Sequence, residues 1–173
     1  MKMQANNFNG ADFKEDFVGS NTEMYGKYLT FWTDGQLFGV PIADVVQIVG
    51  IQEITVIPEF PDYAKGVINL RGNIIPLIDV RLRFHKQEAA YDERTCIIVT
   101  NICENSIGFI VDSVDAVTDI ADDKISIPPK LTGDMGDSYL TGVARVENKV
   151  VLLLDTGKIL SKDTVLELTS VEL

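Results

Sequence analysis

The chain has 173 residues and a net charge of −11; such a surface repels phosphate backbones and anionic headgroups, so neither nucleic acid nor direct membrane insertion is expected. Its one histidine, His85, leaves out most histidine-based metal and triad chemistry. No apolar run exceeds five or six residues, against the roughly 20 that a membrane-spanning helix needs.

Residues 1–27, rich in Asn, Asp, Gly and Ser without a clear period, read as a flexible tail and lack the apolar core of a signal peptide. Reduced thiols at Cys96 and Cys103 in a cytoplasmic protein are therefore expected. The first strand is YLTFWT, followed by the hairpin signal Asp34-Gly35 and then QLFGV. Leu29 and Phe31 would share one face of that strand, and Tyr28, Thr30 and Trp32 the other. Asp44 to Val49 continues apolar, and Ile54 to Ile57 reads as a short strand stopped by Pro58 and Pro61. Val67–Leu70 and Ile74–Ile78 flank the turn Arg71-Gly72-Asn73. Pro76 offers no amide hydrogen, so its strand is expected at an edge or bulged. In the second half, Thr95–Thr100 turns at Glu104-Asn105 into Ser106–Val111. Val114–Ile120 and Ile125–Ile127 follow, then an enlarged loop at 130–140 and a last hairpin from Gly142–Val146 to Val150–Leu154. Asp155 is placed to cap a short helical turn, and 161–173 carries a weak helix signal.

A long internal repeat organises these elements. GVINLRGNIIPLIDVRLRF at 66–84 aligns with GVARVENKVVLLLDTGKIL at 142–160, matching Gly66 with Gly142, Arg71 with Glu147 and Asp79 with Asp155. LFGVPIADVVQI at 37–48 likewise aligns with SIGFIVDSVDAV at 106–117, matching Gly39 with Gly108 and Val45 with Val114. A unit built twice from short strands predicts an all-β protein of two pseudo-duplicated five-stranded SH3-like barrel subdomains. The expected boundaries are a tail at 1–27, a first barrel at 28–84, a second at 85–160 and a C-terminal helical segment at 161–173. Val67, Ile75 and their counterparts Val143 and Val151 are the expected core.

The segment 66–84 resembles the signature of the CheW family of bacterial chemotaxis coupling proteins, in which Gly-Val-x-Asn-Leu-Arg-Gly precedes a Pro-x-x-Asp-Leu-Arg-like run. The aromatic first strand, Phe38-Gly39-Val40 and Tyr139-Leu140-Thr141-Gly142 fit as well, so the resemblance covers roughly 28–160. It implies a cytoplasmic, non-enzymatic adaptor without cofactor, recruited to membrane chemoreceptor arrays. Its implied partners are the regulatory domain of the histidine kinase CheA and the cytoplasmic tip of a chemoreceptor, with an apolar groove between barrels that accepts a receptor helix. Partner contacts are expected at Val45, Gln47, Gly66, Asn69 and Arg71. Gln47 departs from the acidic residue often found there, and a chain of this length leaves no room for a kinase or receiver domain.

Other chemistry is weaker. Asp79, Arg81 and Arg83 alternate with Val80, Leu82 and Phe84, as on a strand with one wet face, and local ion pairing accounts for them. Asp112, Asp115, Asp122 and Asp123 read as solvated acidic loops, since the calcium-loop pattern is absent. A small-ligand- or metal-binding β-barrel is the competing reading.

Overall fold

The computed structural model describes residues 24–127 and 139–171; the expected flexible tail up to residue 23 and most of the loop at 130–140 lie outside them. The strands are β1 Lys27–Thr33, β2 Gln36–Pro41, β3 Val45–Gly50, β4 Ala64–Leu70, β5 Asn73–Asp79, β6 Cys96–Ile102, β7 Asn105–Val111, β8 Ser113–Asp119, β9 Ile125–Ser126, β10 Leu140–Val146 and β11 Lys149–Leu154. Three short helices follow β5 and β11: α1 Val80–Arg83, α2 Thr156–Ile159 and α3 Lys162–Thr169.

Four hairpins turn in two residues, and both turn residues have positive φ in each: Asp34 and Gly35, Arg71 and Gly72, Cys103 and Glu104, Glu147 and Asn148. That is the type I′ geometry whose twist matches paired strands. The third turn falls one residue earlier than expected, because Ile102 pairs with Asn105 and so leaves Cys103 and Glu104 at the tip.

The strands form two sheets, one ordered β8-β1-β2-β11-β10-β9 and the other β3-β6-β7-β5-β4. Apart from short β9, the repeat maps one order onto the other: β8 onto β3, β1 onto β6, β2 onto β7, β11 onto β5 and β10 onto β4. The all-β duplication is therefore present. The division of barrels at residues 84 and 85 is corrected, however, because each sheet draws strands from both halves. The β1–β2 hairpin pairs with β8 and β11 of the second half. The β6–β7 hairpin pairs with β3 and β5 of the first. The connections between sheets are short, a 3-10 turn at Ile42–Asp44 and the single residue Asp112. Neither is long enough to return the chain to its starting sheet.

Pro76 sits inside the second sheet, not at its edge. Val67 directs its N–H and C=O to Thr55, with both bonds 2.9 Å. The Val67–Pro76 pair of β4 and β5 is therefore a non-hydrogen-bonded one, and Pro76 nitrogen points away from β4. On that other side, parallel pairing with β7 begins only at Leu77. No ladder bond is lost. The expected strand at 54–57 reduces to the Thr55–Val67 bridge.

Three apolar clusters follow from this plan. Ile68, Ile75, Leu77, Ile97, Val99 and Ile110 fill one barrel, and Leu37, Ile120, Ala144, Val151 and Leu153 the other. The largest cluster joins Leu29, Phe31 and Val40 of one sheet to Ile78, Ile98 and Phe109 of the other, sealed by Val165 and Leu168 of α3. Tyr28 and Trp32, on the other face of β1, pack into their own barrel. Of the four expected core residues, Val67, Ile75 and Val151 are buried. Val143 is half-buried, and among the described residues the strand beside it at that edge is two-residue β9.

Candidate partner-binding surface

The fold puts the five expected contact residues to different uses. Arg71 is exposed at the tip of the β4–β5 hairpin with φ of 54°. The turn is held by Asn69, whose side-chain oxygen accepts the Gly72 N–H at 2.9 Å. Arg71 itself has no hydrogen bond or ion pair among the described residues. Gln47 is half-buried on β3, opposite Val99 of β6.

Gly66 is buried with φ of 142°, and a β-carbon there would lie 2.1 Å from the Thr55 carbonyl oxygen. Its lack of a side chain is what lets residues 54–57 lie against β4. Val45 is 0% exposed and packs in the cluster between the sheets. Its expected apolar contact with a partner is corrected on that ground: Val45 lies opposite Thr100, also 0% exposed, on the face of β3 turned toward the other sheet.

Half-buried aromatic side chains lie at the rim of that cluster, at Phe60, Tyr63, Phe84 and Tyr139. Sequence reasoning missed them, although the repeat carries a signal. Tyr63 and Tyr139 each precede the matched glycine by three residues. Their carbonyls accept the N–H groups of matched Asp79 and Asp155, both at 2.8 Å. Phe84 stacks on Tyr139 with centroids 4.7 Å apart and lies 5.3 Å from Phe38.

Arg83 lies between the two matched tyrosines, 5.6 Å from each ring centroid, and donates from Nε to the Ile159 carbonyl at 2.7 Å. Arg81 reaches further. It donates from Nε and Nη2 to the two Asp112 carboxylate oxygens at 2.9 and 2.7 Å, and from Nη1 to Asp34 at 3.1 Å. The expected local pairing of Asp79 with these arginines is thus replaced. Asp79 is buried, caps α1 by accepting the Leu82 N–H, and accepts the Tyr91 hydroxyl at 2.8 Å. Asp112 is correspondingly not a solvated loop residue. Burial works against its charge, but the Arg81 fork and the Asp34 N–H outweigh that, and its pKa sits below the usual carboxylate range. Burial pushes the Cys96 thiol up, which keeps it protonated and a poor nucleophile.

The space between the sheets is packed. A cavity of about 10 Å³ remains there, lined by Phe31, Val40, Val80, Ile98, Phe109 and Ile159 among others, room for roughly one water molecule. The space around this cavity is filled core among the described residues. Among the described residues, no group of three or more His, Cys, Asp or Glu is placed to hold a metal ion.

Comparison with known proteins places this geometry. The family model described as the CheW-like domain matches residues 27–164. Chemotaxis protein CheW of Klebsiella aerogenes is 35% identical over 137 residues, spanning 79% of this chain and 82% of that one. Chemotaxis protein CheW of Treponema pallidum is 30% identical over 145 residues, spanning 82% and 85%. Among solved structures, the scaffolding protein TtCheW from Thermoanaerobacter tengcongensis matches with a TM-score of 0.73 at 32% identity, covering 80% of this chain and 94% of that one.

Proposed function

The chain belongs to the CheW family of chemotaxis scaffolding proteins, and we propose that it acts as an adaptor coupling chemoreceptors to the histidine kinase CheA. Its work in this reading is geometric: it holds two partners in register and makes or breaks no bond. The observation that carries the proposal is the Arg71 hairpin. A rigid two-residue turn presents an exposed cation, its own backbone satisfied by Asn69. Arginine is the side chain whose planar fork pairs with a partner carboxylate, and it is enriched among interface hot spots. Tyr63, Phe84 and Tyr139 supply half-buried aromatic surface for an amphipathic receptor helix. Gln47 adds a polar contact on β3.

The protein would then sit in the cytoplasm at membrane receptor arrays, held there by its partners. No helix among the described residues is long and apolar enough to cross a membrane. Calorimetric titration of the chain with a CheA regulatory domain, and separately with a receptor-tip helical hairpin, tests the reading. Saturable binding of each, and of both together, is expected. Failure to bind either partner overturns it.

A further inference from the structure

A bare sheet edge invites another strand, and folded proteins guard their edges with charges, short strands or a covering segment. Three of the four edges of these two sheets are guarded in one of those ways. Strand β8 carries Asp115 and Asp119, β9 is only two residues long, and β4 is covered where Val67 exchanges hydrogen bonds with Thr55. The exception is β3, the repeat counterpart of β8. From Val45 to Gln52 the chain reads VVQIVGIQ, without a charge. The β6–β7 turn fixes which β3 backbone groups are free. Ile102 and Asn105 flank that two-residue turn as a hydrogen-bonded pair, and the bonding alternates along β6. Val99 and Ile97 therefore direct their backbone groups to β3, where they meet Gln47 and Val49. Ile48 and Gly50 direct theirs outward, where no strand lies among the described residues. The Gly50 oxygen is met there by the Gln52 side chain at 3.5 Å, a long bond that a strand could replace. The register shift of β3 falls between Val45 and Gln47, so the edge from Gln47 to Gly50 is regular.

We propose that β3 is a self-pairing edge, on which a second copy of this chain docks antiparallel about a two-fold axis through Val49. In that register Ile48 of each copy faces Gly50 of the other, and each facing pair exchanges its backbone hydrogen bonds in both directions. Asp44 falls opposite Ile54 and Glu53 opposite Val45, so no carboxylate meets another. The same pairing of β8 about Val117 would set Asp115 against Asp119. Charge therefore favours β3 as the place where two copies meet, since each carries a net −11 over the rest of its surface. A six-residue strand buries little area, so the dimer is weak. Dissolved salt strengthens it, because screening reduces the repulsion between two acidic chains while the strand pairing itself is uncharged.

Sedimentation velocity of the full chain over a concentration series tests this, together with amide hydrogen exchange followed by NMR. A monomer–dimer equilibrium that tightens as sodium chloride is raised is expected. With rising protein concentration the Ile48 and Gly50 amides should become protected, while the amides of β8 keep their exchange rates. Val49→Lys sets two cations face to face on the axis, and Gln47→Glu adds an anion to the edge; each should weaken the dimer. Urea melts of both variants separate that loss from loss of fold, and the exchange measurement needs no substitution. Monomer at every concentration and salt overturns the proposal, as does a dimer that leaves Ile48 exchanging freely or survives in folded Val49→Lys. Protection of Ile48 that appears only when another protein is added also overturns it, by assigning the edge to a different partner.

Discussion

Leu77 lies across Gly108 as Leu153 lies across Gly39. A β-carbon on Gly108 would stand 2.6 Å from Leu77 Cδ2, and one on Gly39 would stand 3.0 Å from Leu153 Cδ2. Each pair sits in a parallel ladder, β5 with β7 and β11 with β2, where a strand from one half of the chain meets a strand from the other. The glycines matched in the repeat thus do the same job: they leave room for a leucine where the halves interlock.

Gly108→Ala should destabilise the protein by about 1–3 kcal/mol, the usual cost of forcing a methyl into a packed core. The new methyl would also crowd Ile97 Cγ2 at 2.8 Å. Gly39→Ala should cost less, since its nearest contacts, Leu153 Cδ2 and Val151 Cγ1, stand further off at 3.0 and 3.3 Å. Urea unfolding of both variants checks the order. A larger loss for Gly39→Ala would contradict the packing account.

Gly66→Ala should cost more than either. Its methyl would meet the Thr55 carbonyl, a backbone atom that cannot swing aside, and φ of 142° is strained for any L side chain. Strain and overpacking together are worth roughly 2–6 kcal/mol. Any loss of partner binding in this variant should track loss of folded protein across a thermal melt. Weakened binding with an unchanged melt would instead make Gly66 a contact residue.

Arg71→Glu should behave in the opposite way. Its repeat counterpart is Glu147, which holds the same turn conformation with φ of 50°, so the scaffold accepts an anion there. Stability should stay within about 0.5 kcal/mol, as for surface changes generally. Binding to a CheA regulatory domain or a receptor-tip fragment should weaken by about 2 kcal/mol or more, roughly thirtyfold. Calorimetry beside a thermal melt reads both; unchanged binding to the two partners would remove Arg71 from the interface.

Asp112 makes stability depend on pH in a defined direction. Its folded pKa lies below the unfolded value of about 3.9, so its contribution is present above that value and is lost as pH falls through the folded pKa. The groups facing it are Arg81 and Asp34, with Asp79 acting on Arg81. Asp112→Asn should cost about 1 kcal/mol at pH 7, the upper range for a partly exposed pair, and the gap to wild type should close as pH falls through the folded pKa of Asp112. A gap that is constant with pH would show that Asp112 acts through its shape rather than its charge.

What could be read from the chain alone were features decided by near neighbours. Hairpin turns, the capping aspartate at Asp155 and the alternation in β1 depend on residues a few places apart. Tertiary structure alone decided which strands share a sheet. A period of two says that a strand has two faces, but not which sheet either face will meet. The exchange of hairpins between halves follows from connections too short to turn back, and it is that exchange which buries Val45 and gives Pro76 a place inside a sheet. The partners of Arg81 stand 31 and 47 residues away in sequence. No local pattern marks them, because an ion pair between sheets forms only once both sheets have packed.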